Sequence, residues 1–147
     1  MTRTDADFMS EAYDEARKSF DAGGLPIGAI LVRGGEIIGR GHNQRVQKGD
    51  PILHGEMDCM RNAGRQKTYR DTVMYTTLSP CMMCTGTILQ FGIPRVVIGE
   101  SRNFAGFQNV LTEAGVEVLD LDDPACTKLM GGFIAAHPAL WNEDIGE

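Results

Sequence analysis

The chain has no long apolar run. None of its stretches approaches the ~20 consecutive apolar residues that a membrane-spanning helix needs. Its start, Met1-Thr2-Arg3-Thr4-Asp5-Ala6-Asp7, has neither the basic opening nor the apolar segment of a secretory signal. Basic residues are in the minority, with 14 Lys and Arg against 20 Asp and Glu and a net charge of −6. An acidic surface repels phosphates, so a nucleic-acid partner is not expected. Repeats, low-complexity stretches and linkers are absent. Cysteine is scarce: four in 147 residues is too few for a disulfide scaffold. These absences lead to the expectation of a cytoplasmic protein with no membrane and no nucleic-acid partner.

What is there is ordinary in bulk. Hydrophobic residues make up 42% and charged residues 23%, a globular balance that excludes disorder, a fibre or a coiled coil. The length fits one domain over residues 1–147, at ~150 residues per domain. The eight methionines read as adaptable core filler.

Along the chain, short elements alternate with turns. Residues 8–22 read as a helix with the stripe Phe8, Ala12, Ala16 and Phe20, capped at Ser10 and ended by Gly23-Gly24. Ile27–Val32 is a buried strand. Arg33-Gly34-Gly35-Glu36 is a hairpin turn, because paired glycines accept positive φ. The returning strand opens at Ile37-Ile38 and fades at Gly39-Arg40-Gly41, and residues 41–53 read as loop. Helices follow over His54–Asn62, Cys81–Phe91 and Phe107–Ala114, with strands at Val73–Thr77, Arg95–Gly99 and Val116–Leu119. Asp122 or Asp123 caps a last helix with Pro124 near its start. Pro138 stops that helix near His137, leaving the tail 138–147. A hairpin followed by β-α units predicts a three-layer α/β/α fold, a mixed five-stranded sheet with helices on both faces.

Chemistry concentrates in two short segments, His54-Gly55-Glu56 and Pro80-Cys81-Met82-Met83-Cys84. Cys81 and Cys84 are three apart at a helix start, so they share one face where the helix dipole favours thiolates. His54 holds the matching position on the preceding helix. Three soft or borderline ligands leave a tetrahedral zinc one open position for water, the catalytic arrangement. A closed site would need a fourth ligand, for which His42 and Cys59 are the nearest spares. Glu56, two residues past His54, is placed to carry protons at that open position. A redox role for the Cys81/Cys84 pair is the rival, but it leaves His54 and Glu56 idle. Elsewhere residue type alone suggests blander roles. Asn43 is a turn residue, Trp141 a tail anchor, Asp144 a solvated charge and Phe104 core. Cys59 and Cys126 are buried thiols, and His42 and His137 have no evident partner.

The order H-x-E…P-C-x-x-C is the signature of zinc-dependent nucleobase deaminases. With it, the chain resembles the cytidine deaminase superfamily, and within it the fungal-type cytosine deaminases. The likeness is carried by Leu25-Pro26-Ile27-Gly28, Gly39-Arg40-Gly41-His42-Asn43, Gln47-Lys48-Gly49 and Leu53-His54-Gly55-Glu56. It continues in Tyr75-Thr76-Thr77-Leu78-Ser79-Pro80-Cys81, Cys84-Thr85-Gly86 and the ending Trp141-Asn142-Glu143-Asp144-Ile145-Gly146-Glu147. Met57-Asp58-Cys59, Met82-Met83 and Phe104-Ala105-Gly106-Phe107 depart from that pattern.

The resemblance implies one Zn2+ per chain on His54, Cys81 and Cys84, and Glu56 as proton shuttle. It implies that Asn43 hydrogen-bonds the pyrimidine ring and that Asp144, brought back by the tail, meets the polar edge of the base. Phe104 and Trp141 would wall the pocket with Ile27 beneath, Phe107 being the alternative to Phe104. Gly55, Leu78 and Ser79 would complete the contacts. The implied activity is hydrolysis of free cytosine to uracil and ammonia, in pyrimidine salvage, by a homodimer whose tail closes each site. Three alternatives stand beside it: deamination of a purine, triazine-like base or cytidine; tRNA adenosine deamination, which fits poorly with the charge and a covering tail; and a silent zinc fold used as an interaction module.

Overall fold

The computed structural model describes residues 2–147. Twelve elements follow in order: α1 Asp5–Asp21, β1 Gly28–Arg33, β2 Glu36–His42, α2 Arg45–Lys48, α3 Gly55–Ala63, β3 Thr72–Leu78, α4 Met82–Phe91, β4 Arg95–Glu100, α5 Gln108–Glu113, β5 Glu117–Asp120, α6 Pro124–Ala136 and α7 Pro138–Ile145. The sheet order is β2-β1-β3-β4-β5. β1 is antiparallel to both neighbours, and β3, β4 and β5 are parallel. β2 and β3 therefore point the same way, and the carboxyl ends of β2, β3 and β4 meet at one edge. The site lies there.

The central strands bury both faces, as a sheet with helices on both sides requires. Ala29, Leu31, Met74, Val96 and Ile98 pack against Cys59 of α3, Ile88 of α4 and Leu111 of α5. The alternate residues Ile30, Val32, Tyr75 and Val97 pack against Phe8, Met9 and Ala12 of α1 and Cys126 of α6. Each fully buried Ile or Leu among them contributes ~1.5–3 kcal/mol of transfer free energy. A third cluster, Leu25, Ile27, Leu78, Met130, Phe133 and Trp141, lies at the carboxyl edge and forms the floor of the site. No helix among the described residues is long and apolar enough to cross a membrane.

The three-layer architecture matches the sequence expectation, with corrections at the ends of elements. α1 begins at Asp5, capped by Thr4 rather than Ser10. Thr4 Oγ1 accepts from the Asp7 N–H while Asp7 Oδ2 accepts from the Thr4 N–H, a reciprocal capping box. Phe20 is 40% exposed, off the stripe expected for it. At 3.6 residues per turn a four-residue spacing drifts ~40° each step, so the third step leaves the buried face. Met9, Glu15 and Ser19 are buried instead.

β2 does not fade at its glycines but runs to His42. α3 lies directly on it: a Cβ on Gly39 would stand 2.5 Å from Ala63 Cβ, and one on Gly41 2.4 Å from the Cys59 nitrogen. The hairpin turn is as expected, with φ of +55° at Gly34 and +79° at Gly35. The segment after β2 contains the single turn α2. Pro138 stops α6 and also occupies the first turn of α7, so the tail is a helix.

Candidate active site

Two helix starts make the centre. His54 is the N-cap of α3 and Cys81 the N-cap of α4, both in extended conformation. Cys84 lies in the first turn of α4. His54 Nδ1 stands 3.5 Å from Cys81 Sγ and 3.9 Å from Cys84 Sγ. All three donor atoms fall within 4.8 Å of one another. A tetrahedral ion with Zn–S of ~2.3 Å and Zn–N of ~2.0–2.1 Å places N and S about 3.6 Å apart. The donor set and its spacing fit zinc. No fourth protein ligand joins the cluster among the described residues, and neither spare is in it. Cys59 is buried in the core and His42 Nδ1 lies 2.9 Å from Glu15 Oε1. All four cysteines are free thiols.

The three ligands perturb one another. The hydrogen bond with Cys84, reinforced by that with His54, brings the Cys81 thiol down to about 4 against the effect of burial. The same contact and burial raise Cys84 well above its usual value. Burial disfavours the His54 cation, but Cys81 and the carboxyls of Asp144 and Glu56 overcome it and lift the imidazole to about 9. Deprotonated sulfur beside a proton-retaining imidazole is a cluster prepared to exchange protons for a cation.

Glu56, in the first turn of α3, is 4% exposed and borders the same pocket. Burial, with the Cys81 thiolate nearby, pushes its carboxyl up to about 7. A carboxyl in that range can both take and give a proton near neutrality.

The pocket is lined by Ile27, His54, Glu56, Leu78, Ser79, Cys81, Phe104, Trp141, Asp144 and Ile145. The lining closes tightly over the cluster, leaving an enclosed space of about 10 Å3, about what one water needs. Phe104 and Trp141 meet edge to face with centroids 5.8 Å apart. Phe107 borders an adjoining, more open groove that shares His54, Cys81, Phe104 and Asp144 with the pocket and adds Met82 and Met83. Sequence reasoning missed Ile145, because an apolar residue within an acidic ending gives no signal until the ending is seen to be a helix.

Asn43 and Gly55 sit behind this lining rather than in it. Asn43 has no exposed surface. Its carbonyl accepts from Ser19 Oγ at 2.6 Å and Gln47 Nε2 at 3.0 Å, and its N–H donates to the Ile27 carbonyl at 2.9 Å. Its side-chain Oδ1 accepts from the Arg45 N–H at 3.1 Å, and its Nδ2 donates to Asp144 Oδ1 at 2.8 Å. Asn43 thus meets the pocket through Asp144. Asp144 is 8% exposed rather than solvated, and burial raises its carboxyl although the facing His54 opposes this.

Sequence comparison matches residues 2–100 to the cytidine and deoxycytidylate deaminase zinc-binding region. The chain is 51% identical to the cytosine deaminase of Candida albicans over 150 aligned residues, covering 100% of both chains. It is 41% identical over 107 residues to a tRNA-specific adenosine deaminase of Streptococcus pyogenes, covering 70% of this chain and 63% of the other. Among solved structures, one in complex with 2,6-diaminopurine superposes with a TM-score of 0.78 over 90% of this chain and 82% of that one. At 20% identity that likeness is one of fold alone.

Proposed function

The chain belongs to the cytidine and deoxycytidylate deaminase zinc-binding family, and from that premise we propose that it hydrolyses free cytosine to uracil and ammonia. The observation that carries the choice of substrate is α7. Trp141, Asp144 and Ile145 of this helix line the pocket beside His54, Glu56 and Cys81, so the C-terminal helix is itself part of the wall, as a small-base site closed by its own tail requires. The Candida albicans likeness extends through this helix, whereas the tRNA-deaminase likeness stops at 70% of the chain.

His54, Cys81 and Cys84 would hold one Zn2+, which when bound would lower the pKa of water toward ~7 and so supply the nucleophile at neutral pH. Glu56 takes a proton from the attacking water as the water oxygen bonds to C4 of the base. Glu56 then passes the proton to ring N3. Glu56 next takes the remaining hydroxyl proton at C4 and gives it to the exocyclic nitrogen, so that the C4–N bond breaks as C4=O forms and ammonia leaves. Cytosine and water are consumed, uracil and ammonia are formed, and Glu56 ends as it began.

The remaining groups hold the ring in line. Phe104 and Trp141 wall it, Ile27 and Leu78 lie beneath, and Ser79 and the backbone at Gly55 and Leu78 complete the surround. Asp144 faces the polar edge, with Asn43 fixing it from behind. Residues 1–147 act as one deaminase domain closed by 138–147. The homodimer rests on the family resemblance alone. A cytoplasmic setting and a place in pyrimidine salvage follow from the reading as a cytosine deaminase. Ammonia release by the zinc-loaded protein from cytosine, cytidine and adenine tests the proposal. Release from cytosine alone is expected, and preference for cytidine or adenine contradicts it.

A further inference from the structure

The β4–α5 loop carries Phe104 into the pocket, and a buried side chain beyond the pocket lining holds that loop. Glu100, the last residue of β4, has no exposed surface. Its Oε2 accepts from the Asn103 N–H at 3.0 Å and its Oε1 from Asn103 Nδ2 at 2.8 Å. The same Nδ2 donates to the Thr127 carbonyl of α6 at 3.0 Å. On the other side of Phe104, the Ala105 carbonyl accepts from Ser79 Oγ at 2.8 Å. Ser79 is in turn fixed by its N–H, which donates to the Glu100 carbonyl at 2.9 Å. The residue before Phe104 is therefore tied to the Glu100 side chain, and the residue after it, through Ser79, to the Glu100 backbone carbonyl.

We propose that Glu100, with Asn103, is a positioning residue for the pocket wall. It sets where the Phe104 ring stands against Trp141, and so how well the base is held. The inference rests on reading the site as a nucleobase pocket. A carboxyl with no exposed surface is costly, and what this one offers is two acceptors for two donors of fixed spacing. Glutamine has the same shape but presents one donor, so one of the two bonds becomes donor against donor.

The test uses the zinc-loaded enzyme and the variants E100Q, F104A and E100Q/F104A, with zinc content measured in each. In E100Q the KM for cytosine rises about tenfold while kcat stays within about threefold, the pattern of a lost binding wall with the reacting groups intact. The double variant is no worse than F104A, because Glu100 acts through Phe104. Losses that multiply in the double variant overturn the proposal. Trp141 is the only tryptophan, so its emission reports the wall without substrate. A shifted spectrum in E100Q is expected, and an unchanged one overturns the proposal. Should E100Q not fold, N103A removes the side-chain bonds and keeps the backbone one, and the same KM and emission changes are required of it. If the wild-type protein does not turn over cytosine, the functional reading fails, and the Trp141 emission still decides the positioning role.

Discussion

Asp144 Oδ1 lies 2.8 Å from Asn43 Nδ2 and 3.5 Å from His54 Nε2. One oxygen on the last helix thus faces both the residue that ends the first hairpin and the far nitrogen of a metal-ligating histidine. A carboxylate beside the far nitrogen of a ligating imidazole favours a proton on that nitrogen, which leaves Nδ1 for the metal. Seating α7 brings that carboxylate up to the metal site.

Removing that carboxylate should be felt at the metal. Asp144→Ala is expected to weaken zinc binding about tenfold or more, measured by chelator competition. Unchanged zinc affinity would separate α7 from the metal site.

Glu56 reaches the pocket without being among the metal-binding cluster. Glu56→Ala should keep one zinc per chain and lose about 10²–10⁴ in kcat. Turnover near the wild-type rate in a zinc-replete variant would remove Glu56 from proton transfer.

Metal and fold should be coupled, since His54, Cys81 and Cys84 come from the starts of two different helices. At a free metal concentration near 100 times its Kd, zinc adds about 2.7 kcal/mol. Chelation should then lower Tm by about 5–10 °C. Cys84→Ala should show the lower Tm with or without added zinc. A Tm indifferent to zinc contradicts the coupling.

The fold's acid sensitivity has a named source away from the site. Asp5 receives Arg95 through two bonds, Nη1 to Oδ1 at 2.9 Å and Nη2 to Oδ2 at 2.8 Å, and accepts Tyr75 Oη at 2.7 Å. The Arg95 guanidinium holds the Asp5 carboxyl below its ordinary value of 3.8, although burial opposes this. A carboxyl lowered on folding stabilises above its unfolded pKa, and that stability is lost as pH falls through the folded value. Asp5→Asn should therefore lower Tm at neutral pH, with the gap to wild type closing below about pH 4. A gap that persists at low pH would assign the effect to something other than charge.

Much of this was legible in the sequence because the chemistry needs particular residue types at short spacing. His54, Glu56, Cys81 and Cys84 fall within two short segments at two helix starts, so residue type and close spacing alone marked them. Alternation of apolar residues in the strands was equally readable, since both faces of the sheet are covered. What escaped depends on contacts distant in sequence. Asn43 reads as a turn residue until Asp144, 101 positions later, is seen to accept its amide. Glu15 reads as a surface charge, yet it is 3% exposed beneath His42 and Arg40. The ending reads as a charged tail because its apolar residues Leu140, Trp141 and Ile145 bury against α6 and the pocket floor only once Pro138 has turned the chain.

The most direct measurement is the mass of the product formed from free cytosine by the zinc-loaded protein in ¹⁸O-labelled water. Hydrolytic attack at C4 predicts uracil carrying one heavy oxygen, with ammonia released in equal amount. Unlabelled uracil, or untouched cytosine in the presence of a fully loaded site, would contradict the account at its centre.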